Sequence, residues 1–174
     1  MRVGLLIYGS LETVSGGYLY DRVLVEHLRQ CGDQVQIISL PWKNYLLHLN
    51  DNLSTRLFRH LASLDVDILL QDELNHPSLA WLNSRLKRAI SYPLIAIVHH
   101  LRSSELRPAW QNNFYRRVER RYLATLDGLV YNSQTTRATV ESLLTRPIPY
   151  TVAYPAGNRL DAHILDHEIE QRDP

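Results

Sequence analysis

Three polar stretches of this sequence stand just past short apolar runs. They are "QDELNHPS" with Asp72, Glu73, Asn75 and His76, "HHLRSSE" with His99, His100, Arg102 and Glu105, and "NSQTTR" with Asn132, Ser133 and Thr135. Carboxylates and imidazoles placed together can move protons near neutral pH. A fourth stretch, "YGSLETVSGGYLYD", puts Gly16 and Gly17 where a helix begins. A helix start offers free backbone N–H groups and the positive end of the helix dipole. Glycines there let a phosphorylated or carboxylated ligand come close. Each feature also has a purely structural explanation: two glycines can make a turn, and a histidine after a buried strand can serve only as a hydrogen-bonder.

Several chemistries are excluded by spacing. Gly9, Gly16 and Gly17 do not make G-x-G-x-x-G, and the second apolar run ends "ISLP" with no acid, so a nicotinamide or flavin dinucleotide is not expected. Gly17 is followed by Tyr18, which rules out the Lys-bearing phosphate loop of nucleoside triphosphatases. Asp72, Glu73, His76, His99 and His100 could serve as metal ligands. No H-E-x-x-H or similar spacing fixes two of them on one element, and in the strand order expected below the third and fourth strands do not adjoin. No metal centre is therefore expected.

The elements that must position these residues alternate along the chain. Apolar runs predict strands at Arg2–Tyr8, Gln34–Ser39, Asp67–Gln71, Leu94–Val98, Gly128–Asn132 and Tyr150–Tyr154. Amphipathic segments predict helices at Gly17–Gln30, at Tyr45–Leu64 with a break near Asn50–Asn52, and at Pro77–Ala89, Gln111–Leu126 and Thr135–Leu144. In the first helix, Leu19, Val23, Leu24, Val25 and Leu28 supply the inward face. Strands buried on both faces and alternating with helices predict an α/β, doubly wound parallel sheet of about six strands, Rossmann-like. With the common order 3-2-1-4-5-6, the first and fourth strands adjoin. Gly16 and Gly17 then face His99 and His100 across the crevice at the strand ends.

Composition narrows the class. With 174 residues the chain holds one well-cored domain. A net charge of +1 argues against a dedicated nucleic-acid binder, which needs a concentrated basic surface. The single cysteine, Cys31, allows no internal disulfide; it is expected to be a buried or half-buried structural thiol in a reducing, cytoplasmic compartment. No apolar run is long enough for a signal peptide or a membrane span. The run "YRRVERRY" places Arg116, Arg117, Arg120 and Arg121 on one helix face. It reads as a solvated face partly balanced by Glu119, or as a peripheral contact with an anionic membrane.

Taken in order, "SGGYLYDRVLVEHL", "YPLIAIVHHLRSSE", "ERRYLATLDGLVYNSQTTRATVESL" and "VAYPAGN" resemble the N-terminal domain of GT-B glycosyltransferases. The likeness is to the retaining group often called family 4, the glycosyl transferase group 1 type, and covers roughly Met1 to Asn158. It implies an acceptor-side Rossmann-like domain over residues 1–158 and a linker or tail over 159–174. That tail leads towards a C-terminal donor-binding domain or separate subunit for which this chain has no room. It further implies a metal-independent reaction using a nucleotide-sugar as donor substrate and no cofactor, with a front-face course in which the leaving phosphate helps deprotonate the acceptor. The implied partners are a sugar or glycan acceptor and the donor-binding domain. By the same resemblance Gly16 and Gly17 lie near the donor phosphates and the acceptor. His99 contacts the transferred sugar, Glu73 and His100 lie on the acceptor side, and Asn132 and Ser133 form the cleft wall. The site so assembled has His99 as its catalytic residue and Gly16, Gly17, Tyr20, Glu73, His100, Asn132 and Ser133 as substrate-binding residues. A chain of this kind is expected to be inactive alone and to self-associate through its uncovered face. The competing functions are a non-catalytic ligand-binding module and a small metal-dependent hydrolase built on His99, His100 and Glu73.

Overall fold

Every residue from Val3 to Tyr8 is buried, so both faces of the first strand, β1 (Arg2–Tyr8), need covering. The computed structural model, which describes residues 1–155, achieves this with one all-parallel sheet. Its other strands are β2 (Gln34–Leu40), β3 (Ile68–Asp72), β4 (Leu94–Val98), β5 (Gly128–Tyr131) and β6 (Tyr150–Val152). The helices are α1 (Gly16–Gln30), α2 (Tyr45–Asn50), α3 (Thr55–Ala62), α4 (His76–Leu79), α5 (Leu82–Leu86), α6 (Ala109–Leu123) and α7 (Gln134–Glu141). The fold is α/β and Rossmann-like, as the alternation predicts.

The spatial order is β2-β1-β3-β4-β5-β6, which corrects the expected 3-2-1-4-5-6. After β2 the chain recrosses β1 and lays β3 on its far side, in register from Val3↔Ile68 to Leu6↔Gln71. The winding therefore reverses between β1 and β3, and β4 adjoins β3 rather than β1. That adjacency removes one of the two objections to Asp72 and His99 acting together.

Alternation along β1 divides the core in two. Val3, Leu5 and Ile7 pack with Tyr18, Tyr20 and Val25 of α1, while Leu6 and Tyr8 face the residues of α3 to α7. In α1 the buried set is Tyr18, Tyr20, Asp21 and Val25, with Leu24 and Leu28 packed against the same core; of the expected inward residues Val23 lies exposed, and Tyr18, Tyr20 and Asp21 are added. The predicted Pro77–Ala89 helix divides into α4 and α5. Asn52 stands between them and accepts the backbone N–H groups of Trp81 and Leu82. Cys31 is exposed at the end of α1, Sγ 3.7 Å from His27 Nε2, contrary to the buried thiol expected. Among the described residues no helix is long and apolar enough to cross a membrane. The expected boundary at 158 and the tail over 159–174 lie outside the described residues.

Candidate functional site

His99 is the first residue past β4, and three segments hold it: the turn after β3, α7 and α1. Its backbone N–H donates to Glu73 Oε2 at 3.0 Å, and its carbonyl lies 3.2 Å from Thr136 Oγ1. Its ring Nε2 lies 3.3 Å from Asp21 Oδ1, and Tyr20 meets the ring edge-on at 5.0 Å. Gly17 closes the last side: a Cβ placed there would stand 3.3 Å from His99 Cδ2. A glycine at 17 is thus what lets the helix start rest against the imidazole. Nδ1 makes no hydrogen bond among the described residues, and it is the ring atom left for a ligand. Although β1 and β4 are not neighbours, α1 lies across the sheet and brings Gly17 to His99 all the same.

Gly16 behaves differently. It is exposed at the first position of α1, and a Cβ there would meet nothing within 4 Å. Ser15 caps this helix, accepting the Tyr18 N–H at 3.2 Å. The side chain of Tyr20 is spent on structure, its hydroxyl donating to the Ala153 carbonyl at 2.9 Å.

The electrostatics behind His99 are unusual for a protein interior. Asp21, Asp72 and Glu73 are all buried, at 0%, 1% and 6% exposure. Burial first, and then the neighbouring Asp21, pushes the Asp72 carboxyl up to about 7. Burial and Asp72 together raise Glu73 well above the usual carboxylate range. Burial would lower His99, but the bond and charge of Asp21 and the charge of Asp72 prevail and raise it. The cluster therefore keeps protons near neutrality and favours an imidazolium at His99. Asp21 Oδ2 and Asp72 Oδ2 have no hydrogen-bond partner. One carboxylate oxygen each from Asp21 and Asp72, with a ring nitrogen of His99, lie within 4.8 Å of one another. Two carboxylates and an imidazole at that spacing can hold a shared proton or a divalent cation.

Glu73 links this cluster to a small cavity of about 160 Å³ at the ends of β1, β3 and β4, lined among others by Tyr8, Trp42, His76, His100 and Arg102. Arg102 lies over the rings of Tyr45 and Tyr115, 5.2 and 5.0 Å from their centroids. Aromatic faces beside a guanidinium and carboxylates suit a hydroxylated ligand, and the volume is below the about 300–1,000 Å³ of a full small-molecule site. His100 is exposed on this side, so the two adjacent histidines face different surroundings. A larger cavity of about 550 Å³ lies at the β2 edge between Pro41 and His60, away from the His99 cluster.

No known family model matches the chain, and no curated protein matches it. Its residues are therefore read by their own geometry. Asn132 and Ser133 hold the start of α7. Ser133 caps the helix by accepting the Thr136 N–H at 3.0 Å, and Asn132 Oδ1 takes the Thr136 hydroxyl at 2.7 Å. Thr136 also reaches the His99 carbonyl, so the pair supports His99 from behind.

Sequence reasoning missed Asp21. It lies one turn into α1 in a helical pattern that reads as surface, yet it is fully buried. The available signal was its position four residues after Gly17, which puts it on the face that Gly17 presents to His99.

Proposed function

We propose that this chain is the acceptor-binding half of a retaining glycosyltransferase that uses a nucleotide-sugar donor, of the kind its motifs resemble. The observation that carries the reading is the held geometry of His99: ring edge against Gly17, Nε2 on Asp21, Nδ1 free, at the mouth of a parallel sheet. A histidine pushed toward its charged form by Asp21 and held beside the N-terminus of α1 suits a reaction in which negative charge develops on a leaving phosphate. Glu73, His100 and Arg102 offer hydrogen bonds to the hydroxyls of an acceptor sugar. The cavity is too small to enclose both substrates, and a donor-binding domain or separate subunit supplies the other wall.

The test is sugar transfer from a panel of nucleotide-sugars to glycan acceptors. Transfer by a mixture of this chain with a donor-binding domain, and not by the chain alone, supports the reading. Robust transfer by the chain alone overturns it. A second reading, a metal-dependent hydrolase, is favoured by the convergence of Asp21, Asp72 and His99. Calorimetric titration with Mn²⁺ and Zn²⁺ separates the two: stoichiometric binding that Asp21→Asn abolishes, with metal-dependent ester hydrolysis, selects the hydrolase. Ligand binding with neither activity selects a non-catalytic module.

A further inference from the structure

We propose that the exposed face of α6 docks this protein onto an anionic lipid surface. The helix, "AWQNNFYRRVERRYL", holds four arginines and a single acid, Glu119. From sequence alone Glu119 offsets part of that charge. The fold takes that acid off the exposed face: Glu119 is 1% exposed and accepts the Ser103 N–H at 3.1 Å. Arg116, Arg117, Arg120 and Arg121 are all exposed, and none enters a salt bridge among the described residues. The helix thus shows solvent four cations and no anion of its own.

The other part of the surface is apolar. Trp110 is 71% exposed, Phe114 is partly exposed, and Leu106, in the loop just before the helix, is fully exposed. Spacings of four, three and four residues line up Trp110, Phe114, Arg117 and Arg121 along one stripe of the helix. Beside that stripe, Arg116 and Arg120 join Ser103, Ser104, Thr139 and Ser142 around an open cavity of about 350 Å³ between α6 and α7. Guanidinium groups and hydroxyls of this kind suit a phosphate.

A lipid interface accommodates all three features together: aromatic and aliphatic side chains at headgroup depth, arginines on the phosphates, and a polar recess for a headgroup. A nucleic acid would use the cations and could stack on Trp110, but it offers nothing to Leu106. An acidic protein would match the charge without requiring the phosphate-sized recess. The docking reading does not depend on the function proposed above, and its test involves no catalysis.

The experiment is co-sedimentation of the full chain with phosphatidylcholine vesicles, with and without phosphatidylglycerol. Binding is expected only with the anionic lipid, falling as salt rises. The double variant Arg117→Glu/Arg121→Glu should lose at least about tenfold in partitioning. Quenching of tryptophan fluorescence by brominated lipid should disappear in Trp110→Tyr. Because this face lies outside the core, unfolding curves of the variants are expected to match the parent. Should a variant unfold, the salt and lipid dependence of the parent chain still decides. Equal binding to neutral vesicles, no binding to either, or tighter binding to a single-stranded oligonucleotide than to vesicles overturns the proposal.

Discussion

Two buried polar clusters stand at the carboxyl ends of the strands, built from the same residue types and finished differently. Around His48, Tyr8 Oη lies 2.6 Å from Ser78 Oγ, Ser78 donates to Asp51 Oδ2 at 2.8 Å, and Lys43 Nζ donates to Asp51 Oδ1 at 2.5 Å. The Lys43 N–H reaches His48 Nε2 at 3.1 Å, and the Tyr8 ring stacks on His48 at 3.9 Å. No buried side-chain atom in this group lacks a partner. Around His99, by contrast, one oxygen of each of two buried aspartates has none. Serine, histidine and aspartate side by side suggest a nucleophilic triad, but here Ser78 and Asp51 both crowd Nδ1 of His48, and Ser78 is fully buried. A working triad puts the acid on one ring nitrogen and the nucleophile on the other. Polar composition alone therefore does not mark a site. Incomplete satisfaction beside an opening does, because buried polar groups left unpaired cost stability unless something else uses them.

The contrast can be broken from either side. The largest effect is expected from His99→Ala in the proposed enzyme, assayed together with a donor-binding domain. Turnover should fall about 10²-fold or more at a temperature where the variant is fully folded, a loss beyond the lower urea midpoint expected from leaving buried Asp21 without its partner. Near-normal turnover would make His99 a structural residue like His48. Ser78→Ala should do the reverse, costing about 1–3 kcal/mol in urea unfolding because it strips partners from Tyr8 and Asp51, with turnover preserved.

The two clusters should also answer pH with opposite signs. Asp72 rises from 3.8 to about 7 on folding. Between those values the folded chain keeps a proton that the unfolded chain has lost, so this contribution to stability falls as pH rises through that window. His99, also raised from 6.5, stabilises fully below its unfolded value and loses that contribution as pH climbs through its folded one. His48, lowered from 6.5 chiefly by burial, favours its neutral form in the folded state, so its contribution is present above its unfolded value and lost as pH falls below it. Stability should therefore decline less between pH 4 and 7 in Asp72→Asn than in the parent. An unchanged slope would remove Asp72 from the account. The smallest effects come from the glycine pair. Gly16→Ala should stabilise by about 0.4–1 kcal/mol, since the position is helical and open. Gly17→Ala should leave the fold intact and shift the His99 ring resonances by NMR, as the new methyl presses on the imidazole.

Much of the fold was legible because its signals are local. β1 and β4 match their apolar runs to the residue, and the break near Asn50–Asn52 falls where the polar triplet stands. Strand order was not legible. The crossover after β2 must choose a side of β1, and that choice rests on packing between α3, α5 and the sheet rather than on any one segment. The candidate site divides the same way. His99, Glu73 and Gly17 could be placed from their position after strands or at a helix start. Asp21 and Asp72 become partners only through the observed sheet order and the tilt of α1 across it.

Tyr20 has one further consequence. Its hydroxyl holds the Ala153 carbonyl, a residue 133 positions later in the chain. The same Tyr20 ring packs edge-on against His99. During synthesis the ribosome releases the whole of α1 long before β6 exists. The wall behind His99 therefore cannot take its final form until the stretch through Ala153 has emerged from the exit tunnel. The surroundings of His99 are thus completed late, after β1 to β5 have been made.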